Sequence, residues 1–216
     1  MLSIIKEFKN KYQLNKKIRN IQKYGISVLE KMSKVLNCSG EIWFIDFGTL
    51  LGIYRDNELL PWDRDIDIGI IYTSEESIER IIDKLNSVCI KYIGANYYEN
   101  QRTLLKFSYK SIPIDVHLYF REKNKLICYL HTAINQKKIK QGVWDKVVNK
   151  AYCDLIDEVI LFDFHNIPLY IPKNVNEILV NKYGETWEIK NENWKTAMNP
   201  NIVSTDFRGL TIYGRN

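Results

Sequence analysis

The sequence predicts an α+β domain behind a helical amino-terminal extension. Three observations carry that expectation: an apolar recurrence near 3.6 residues over positions 2–36, a period-two alternation from Asp65 to Tyr72 that runs straight into a helical stripe, and two further alternating segments at Arg102–Tyr109 and Ile112–Phe120.

In the first segment Leu2, Ile5, Phe8 and Tyr12, then Ile18, Ile21, Val28, Met32 and Val35 share one face, with Gly25 as a potential break and lysines opposite. Ile42–Ile45 is a short apolar run that reads as a buried strand, followed by Gly48–Gly52, where a turn opens a short helix. From Asp65 onward, Asp65, Asp67 and Gly69 alternate against Ile66, Ile68 and Ile70, giving a strand with one acidic and one apolar face. Thr73–Glu76 has capping-box spacing, and Ile78, Ile81, Ile82, Leu85 and Cys89 form the buried stripe of the helix that follows. Arg102–Tyr109 and Ile112–Phe120 read as strands joined at Lys110-Ser111, with Pro113 marking an edge or bulge. Leu126–Leu130 adds a strand, Val159–Phe164 and Pro168–Ile171 a hairpin about Asn166, and Val175–Tyr183 a helix ended by Gly184. After Thr186 the chain is aromatic and polar without a clean period. The expected division is a basic amphipathic helix over 1–37, a catalytic domain over 38–190 and a tail over 191–216 packed on that domain.

The 216 residues are 45% hydrophobic and 26% charged, which excludes a disordered chain and suffices for one sizeable core. Cys38, Cys89, Cys128 and Cys153 lack metal-finger or disulfide-framework spacing and read as reduced, mostly buried thiols. No run of eighteen apolar residues and no secretory leader pattern is present, so a cytoplasmic location is expected. Residues 1–37 carry nine Lys/Arg against Glu7 and Glu30, while the remainder has 22 basic and 24 acidic residues. A uniformly basic nucleic-acid surface is therefore not expected. Two readings of the basic helix stay open: a solvated face, or a peripheral contact with anionic lipid or a glycan-assembly partner at the inner face of the membrane.

The chemistry starts from Asp65 and Asp67. Two residues apart on a strand they share a face, with α-carbons roughly 6.5 Å apart, and can reach one cation. Oxygen ligands suit Mg2+ or Mn2+, which take further ligands from substrate phosphates. An exposed strand can also carry two aspartates for solubility alone. The isoleucine face opposite argues for a fixed strand, and Asp115, flanked by Ile114 and Val116, is a third carboxylate that is costly without a cation or donors. Three carboxylates from neighbouring strands suit a two-metal phosphoryl-transfer site, and the small pair Gly48-Thr49 lets backbone amides approach a phosphate. The catalytic and metal-holding residues are thus Asp65, Asp67 and Asp115.

Gly-Thr, a spacer, Asp-hydrophobic-Asp and a later hydrophobic-Asp-hydrophobic resemble the nucleotidyltransferase superfamily related to DNA polymerase beta. Within it, FGTLLGIYRDNELLPWDRDIDIGI (Phe47–Ile70) and IPKNVNEILVNKYGETW (Ile171–Trp187) are similar to the LicD family, which includes bacterial phosphorylcholine transferases and fukutin-related proteins. The resemblance covers about residues 41–190. It implies a nucleotidyltransferase-like mixed sheet flanked by helices. It also implies transfer of a phosphocholine- or alditol-phosphate-like group from a CDP-linked donor to a hydroxyl of a cell-surface or capsular glycan or glycolipid. Arg64 stands where the family often has an acid, and Asp56 where it often has His.

The further substrate- and nucleotide-binding candidates are Gly48, Thr49, Arg55, Trp62, Lys106 and His117. Arg55 reads as a phosphate clamp or a surface arginine, Lys106 as a phosphate contact or a solvated strand lysine, and His117 as a ligand or the partner of a carboxylate. Trp62 stacks on a base or plugs the core. Two other functions compete with the leading one: nucleoside monophosphate transfer from a triphosphate to a small acceptor, and a non-catalytic nucleotide-binding or scaffold domain.

Overall fold

The computed structural model describes residues 2–156, 158–195, 198–199 and 201–214, and their side chains except those of 2–10 and 134–135. Along the chain run α1 (Leu2–Leu36), β1 (Trp43–Ile45), α2 (Phe47–Asp56), β2 (Ile66–Ile71), α3 (Glu75–Ser87), β3 (Lys91–Tyr98), β4 (Gln101–Tyr109) and β5 (Ile112–Glu122). There follow β6 (Lys125–Lys140), β7 (Val143–Asp154), β8 (Val159–Phe164), β9 (Ile167–Pro172), α4 (Val175–Tyr183), β10 (Ile202–Val203) and β11 (Arg208–Tyr213).

The expected helix-flanked mixed sheet does not form. Instead β5, β4, β3, β11, β7 and β6 pair antiparallel in that order, and β6 pairs back onto β5, closing a six-stranded barrel. Closure leaves none of these strands as a bare edge. β2 lies parallel to β5 outside the ring, β1 antiparallel to β2, and β8 and β9 make a separate hairpin. Sequence periodicity misses this because β3 has Lys91, Tyr92, Tyr97 and Tyr98 around a short buried middle, and β7 is half-buried along most of its length with Lys146, Lys150 and Tyr152 in place of an apolar face. β6 likewise continues ten residues beyond the apolar stretch that ends at Leu130. The segment beyond residue 190, expected only to pack on the domain, supplies β11, the strand that completes the ring between β3 and β7.

Elsewhere local chemistry governs. Ser74, one residue later than the Thr73 spacing suggests, caps α3 by accepting from the Ser77 amide at 3.2 Å. Ile78, Ile81, Ile82 and Leu85 then enter a core shared with Ile21, Val28, Leu29 and Met32 of α1. Gln22 and Ser33 fix α1 by donating to the carbonyls of Leu60 (3.2 Å) and Pro168 (2.6 Å). Among the described residues no helix is long and apolar enough to cross a membrane. All four cysteines are free; Cys128 and Cys153 are buried, while Cys38 and Cys89 are exposed, against the expectation of mostly buried thiols.

Behind the acidic strand lies a buried polar triad. Asp46, the N-cap of α2, accepts from the Phe47 amide at 2.8 Å, from Tyr119 Oη at 2.5 Å and from Lys182 Nζ, which also donates to Tyr119 Oη at 2.8 Å. All three side chains are buried. Burial alone would raise the Asp46 pKa, but the Lys182 ammonium, with His117, overcomes it and holds the carboxyl low. Removing one partner strands a charge in the core, so Lys182→Met should cost about 3–5 kcal/mol. Asp46→Asn with Lys182→Met should cost less than Lys182→Met alone, as read from urea unfolding midpoints.

Candidate active site

Parallel pairing of β2 with β5 sets Asp67 directly opposite Asp115, and antiparallel pairing of β5 with β4 sets Lys106 opposite Asp115. Asp65 stands one residue ahead of β2 and lines the same cleft. Behind Asp67, the residues Ile66, Ile68 and Ile70 are fully buried, so the acidic strand cannot shift without exposing its core face.

The Gly48-Thr49 turn is built into this strand. The Asp67 amide donates to Thr49 Oγ1 at 2.9 Å and the Asp46 amide to the Asp67 carbonyl at 3.0 Å. Thr49 is fully buried, so its hydroxyl aligns Asp67, while Gly48 lines the cleft. A Cβ on Gly48 would collide with Asp63 Oδ2, so the glycine makes room for a carboxylate.

That carboxylate is a fourth member of the site. Burial, then repulsion by Asp65, pushes the Asp63 pKa up to about 7. Burial followed by the charge of Asp115 raises Asp65, and burial followed by Asp65, Asp63 and Asp115 holds Asp67 well above the carboxylate range. These groups are crowded with negative charge that the protein only partly offsets. Lys106 Nζ lies 3.4–3.5 Å from the Asp115 oxygens, and His117 Nε2 lies 3.2 Å from Asp67 Oδ1. His117 is held in turn by Cys128 Sγ (3.6 Å from Nδ1) and by the Phe47 ring (centroids 4.6 Å apart).

Such a donor set suits a hard cation, and Asp63, Asp65, Asp67 and Asp115 are the residues that can hold one. Among the described residues, no three acidic, histidine or cysteine side chains yet converge on one point. Mutual repulsion between uncompensated carboxylates favours that spreading, and a cation would reverse it.

Arg55 lines the cleft, but its guanidinium is engaged. Nε and Nη2 donate to Asp56 at 3.1 and 2.9 Å, and Nη1 to the Trp187 carbonyl at 3.1 Å. Trp62 also lines the cleft while packing partly against the core. Lys106 and Thr49 act on the carboxylate strands from outside the cleft lining. The cleft encloses about 1000 Å³ and is lined by the acidic residues together with Tyr183, Trp187 and Trp194; burial, with the charges of Asp67, Asp46 and Asp63 added, raises the Tyr183 phenol well above its usual range. That volume lies at the upper end of the range for small-molecule sites.

Sequence reasoning passes over Asp63, Asp46, Lys182 and Trp194 as site residues; Tyr183, Gly184 and Trp187 read in the sequence as a helix stop with aromatic anchors, or as a border of the acceptor site. Asp63 has a visible signal in Pro61-Trp62-Asp63, two residues ahead of Asp65. Lys182 also has one: it falls on the helical stripe of Val175, Ile178 and Leu179, where an unpaired lysine would be prohibitive.

Comparison with known proteins gives these residues a context. Over 182 residues the chain is 22% identical to a human protein named ribitol-5-phosphate transferase FKTN, covering 83% of this chain and 36% of that protein. It is 29% identical over 133 residues to the uncharacterized protein RP689 of Rickettsia prowazekii (strain Madrid E), covering 60% of this chain and 47% of that one. A second rickettsial protein, RT0683 of Rickettsia typhi (strain ATCC VR-144 / Wilmington), is 25% identical over 119 residues, covering 54% and 36%. The chain thus spans less than half the length of these relatives. The family model described as LicD/FKTN/FKRP, nucleotidyltransferase domain, matches residues 40–174, a stretch from just before β1 into the turn before α4 that contains Asp63, Asp65, Asp67 and Asp115, and the chain belongs to that family.

Proposed function

We propose that this protein is a Mg2+-dependent (or Mn2+-dependent) transferase that moves a phosphorylated substituent, of phosphocholine or alditol-phosphate type, from a CDP-linked donor to a sugar hydroxyl of a cell-surface or capsular glycan. The observation that carries the reading is the register that seats Asp67 against Asp115, with Asp63 and Asp65 beside them, on the floor of one large cleft. The name of the human relative supports the class of transferred group. The acceptor is proposed to be a glycan or glycolipid. The exposed Lys11, Lys17, Arg19 and Lys23 of α1 would face an anionic membrane or a glycan-assembly partner.

In this reading Asp63, Asp65, Asp67 and Asp115 hold the cation. When bound there, Mg2+ or Mn2+ neutralises the pyrophosphate and the departing phosphate. Asp115 accepts the proton of the acceptor hydroxyl as its oxygen forms the new bond to phosphorus. The bond to the bridging oxygen breaks, and cytidine monophosphate leaves. Lys106 keeps the Asp115 carboxyl oriented, and His117 does the same for Asp67. Phe47 and Leu130 narrow the cleft around the reacting groups.

Asp67→Asn and Asp115→Asn should each lower turnover by about 10²–10⁴-fold while leaving the melting temperature near that of the parent. Mass spectrometry of the products, with CDP-ribitol and CDP-choline as donors, should show cytidine monophosphate released and the acceptor gaining the phospho-substituent. Undiminished turnover in excess chelator, or a nucleotide added to the acceptor, would overturn the assignment.

The raised carboxyls also set a pH dependence. Asp63 has a folded pKa of about 7 against 3.8 for the free group, so between those values the folded state binds more protons than the unfolded one. Stability of the metal-free protein should therefore be greatest below about pH 4 as far as this group contributes, and fall as pH rises through about 7. Asp63→Asn should flatten that fall. Because the cation competes with protons, Mg2+ should raise the melting temperature more at pH 8 than at pH 6 in the parent, and by less in Asp63→Asn. Calorimetry across that range checks both trends.

A further inference from the structure

Residues 186–195 supply much of the rest of the cleft lining, as a succession of tight turns. The Ile189 amide donates to the Thr186 carbonyl at 2.9 Å, the Trp194 amide to the Asn191 carbonyl at 3.2 Å, and the Asn193 amide to Asn191 Oδ1 at 3.0 Å. The segment is fastened from beneath. Arg55, with its side chain only 8% exposed, holds Asp56 with two nitrogens and the Trp187 carbonyl with the third, and Lys190 reaches Asp56 at 3.4 Å. Trp194 is backed by Tyr183, their ring centroids 4.4 Å apart, and both side chains line the cavity.

The lining of the cleft has two chemistries. The carboxylates of Asp63, Asp65, Asp67 and Asp115 suit a cation with its phosphates. The wall offers an indole, the amides of Asn191 and Asn193 and the carboxylate of Glu192, with Lys190 already committed to Asp56. Planar amides and a carboxylate bind hydroxyls through paired acceptors and donors, and an indole face packs on the C–H face of a saturated ring. Asn191, Glu192 and Asn193 are exposed and Ile189 is 68% exposed, so this side is open to bulk solvent. An open wall admits a residue of a longer chain, and the amides and carboxylate beside the indole suit the hydroxyls of a sugar.

We propose that residues 186–195 form the acceptor subsite of the cleft, binding an uncharged pyranose ring against Trp194, with Arg55 as the positioning residue that fixes the wall relative to the floor. This rests on the transferase reading above. It also reassigns Arg55 from a phosphate clamp to a strut.

Saturation-transfer NMR on the full chain with Mg2+ and CDP tests it, using methyl glycosides of glucose, galactose, mannose, N-acetylglucosamine and N-acetylgalactosamine as probes. At least one glycoside should give a signal with the parent, fall about tenfold in Trp194→Ala and recover in part in Trp194→Phe, as expected for a stacking contact. Calorimetry with Mg2+ and CDP should meanwhile give affinities within about twofold of the parent for both variants, as expected of a contact outside the nucleotide subsite. Equal glycoside signals in parent and Trp194→Ala would overturn the subsite, as would loss of CDP affinity in a Trp194→Phe that melts like the parent. A parent that binds CDP but none of the glycosides would overturn it too. Failure of the parent to bind CDP in Mg2+ would instead count against the donor, while the glycoside comparison still reads the wall.

Discussion

Burying a lysine beside an aspartate is tolerable only when every charge and proton has a partner, and the Asp46–Lys182–Tyr119 triad meets that condition with groups from three distant parts of the chain. Asp46 opens α2, Tyr119 belongs to β5, and Lys182 lies in the last turn of α4. None of the three can move alone without leaving a charge unpaired. The start of α2, and with it Gly48 and Thr49, is therefore locked to the strand that carries Asp115. Phe47, the residue after Asp46, is held at φ 40, a left-handed conformation unusual for a side chain that size. Its ring lies beneath the Lys182 ammonium, 3.8 Å from Nζ, and against His117, so the same cluster that demands this conformation also stabilises it.

A second constraint is the charge imbalance in front of that triad. Three cations near the carboxylates have assigned positions: Lys182 serves Asp46, Lys106 serves Asp115, and Arg55 is held by Asp56 and the Trp187 carbonyl. Asp63, Asp65 and Asp67 are left with one another, with His117, with the amide and charge of Arg64 and with the charge of Lys17 acting on Asp65, which together do not offset burial and repulsion. In a structure made only for stability, three crowded carboxyls with raised pKa values would be a defect. They are reasonable in a site that exchanges protons for a metal ion, because the repulsion that destabilises the metal-free state adds to the drive for binding.

Legibility in the sequence followed the physics of each segment. The acidic strand, α3 and the β4–β5 hairpin were readable because one face of each is uniformly apolar and the turn and cap residues agree with the pattern. Asp65, Asp67 and Asp115 were readable as a group because an acid flanked by isoleucine and valine needs a reason. The barrel was not, since strand pairing between β11 and β3, more than a hundred residues apart, leaves no local trace, and half-exposed strands carry lysine and tyrosine where an apolar face would otherwise show. Arg55 shows the same limit: its bonds to the adjacent Asp56 are local, while its bond to the Trp187 carbonyl, 132 residues downstream, leaves no mark in the sequence. The Thr49 hydroxyl accepts from the Asp67 amide, a contact equally invisible in the motif.

The barrel and the site are joined through β5. That strand pairs with β4 along residues 112–117, with β2 along 114–119 and with β6 along 119–122. Tyr119 is the residue shared by the last two pairings, with Ile71 and Cys128 as its partners, and its hydroxyl enters the buried triad. A change in the register of β6 would have to pass through this residue to reach Asp115 four positions earlier, whereas β4 pairs Lys106 with Asp115 directly. A one-residue slip of β5 would also turn Ile114, Val116 and Leu118 out of the core, and that penalty holds the carboxylate strand in register. In the proposed reading this fixed strand serves cation and phosphate, while the exposed segment at residues 186–195, carried on turns and fastened at Arg55, meets the acceptor.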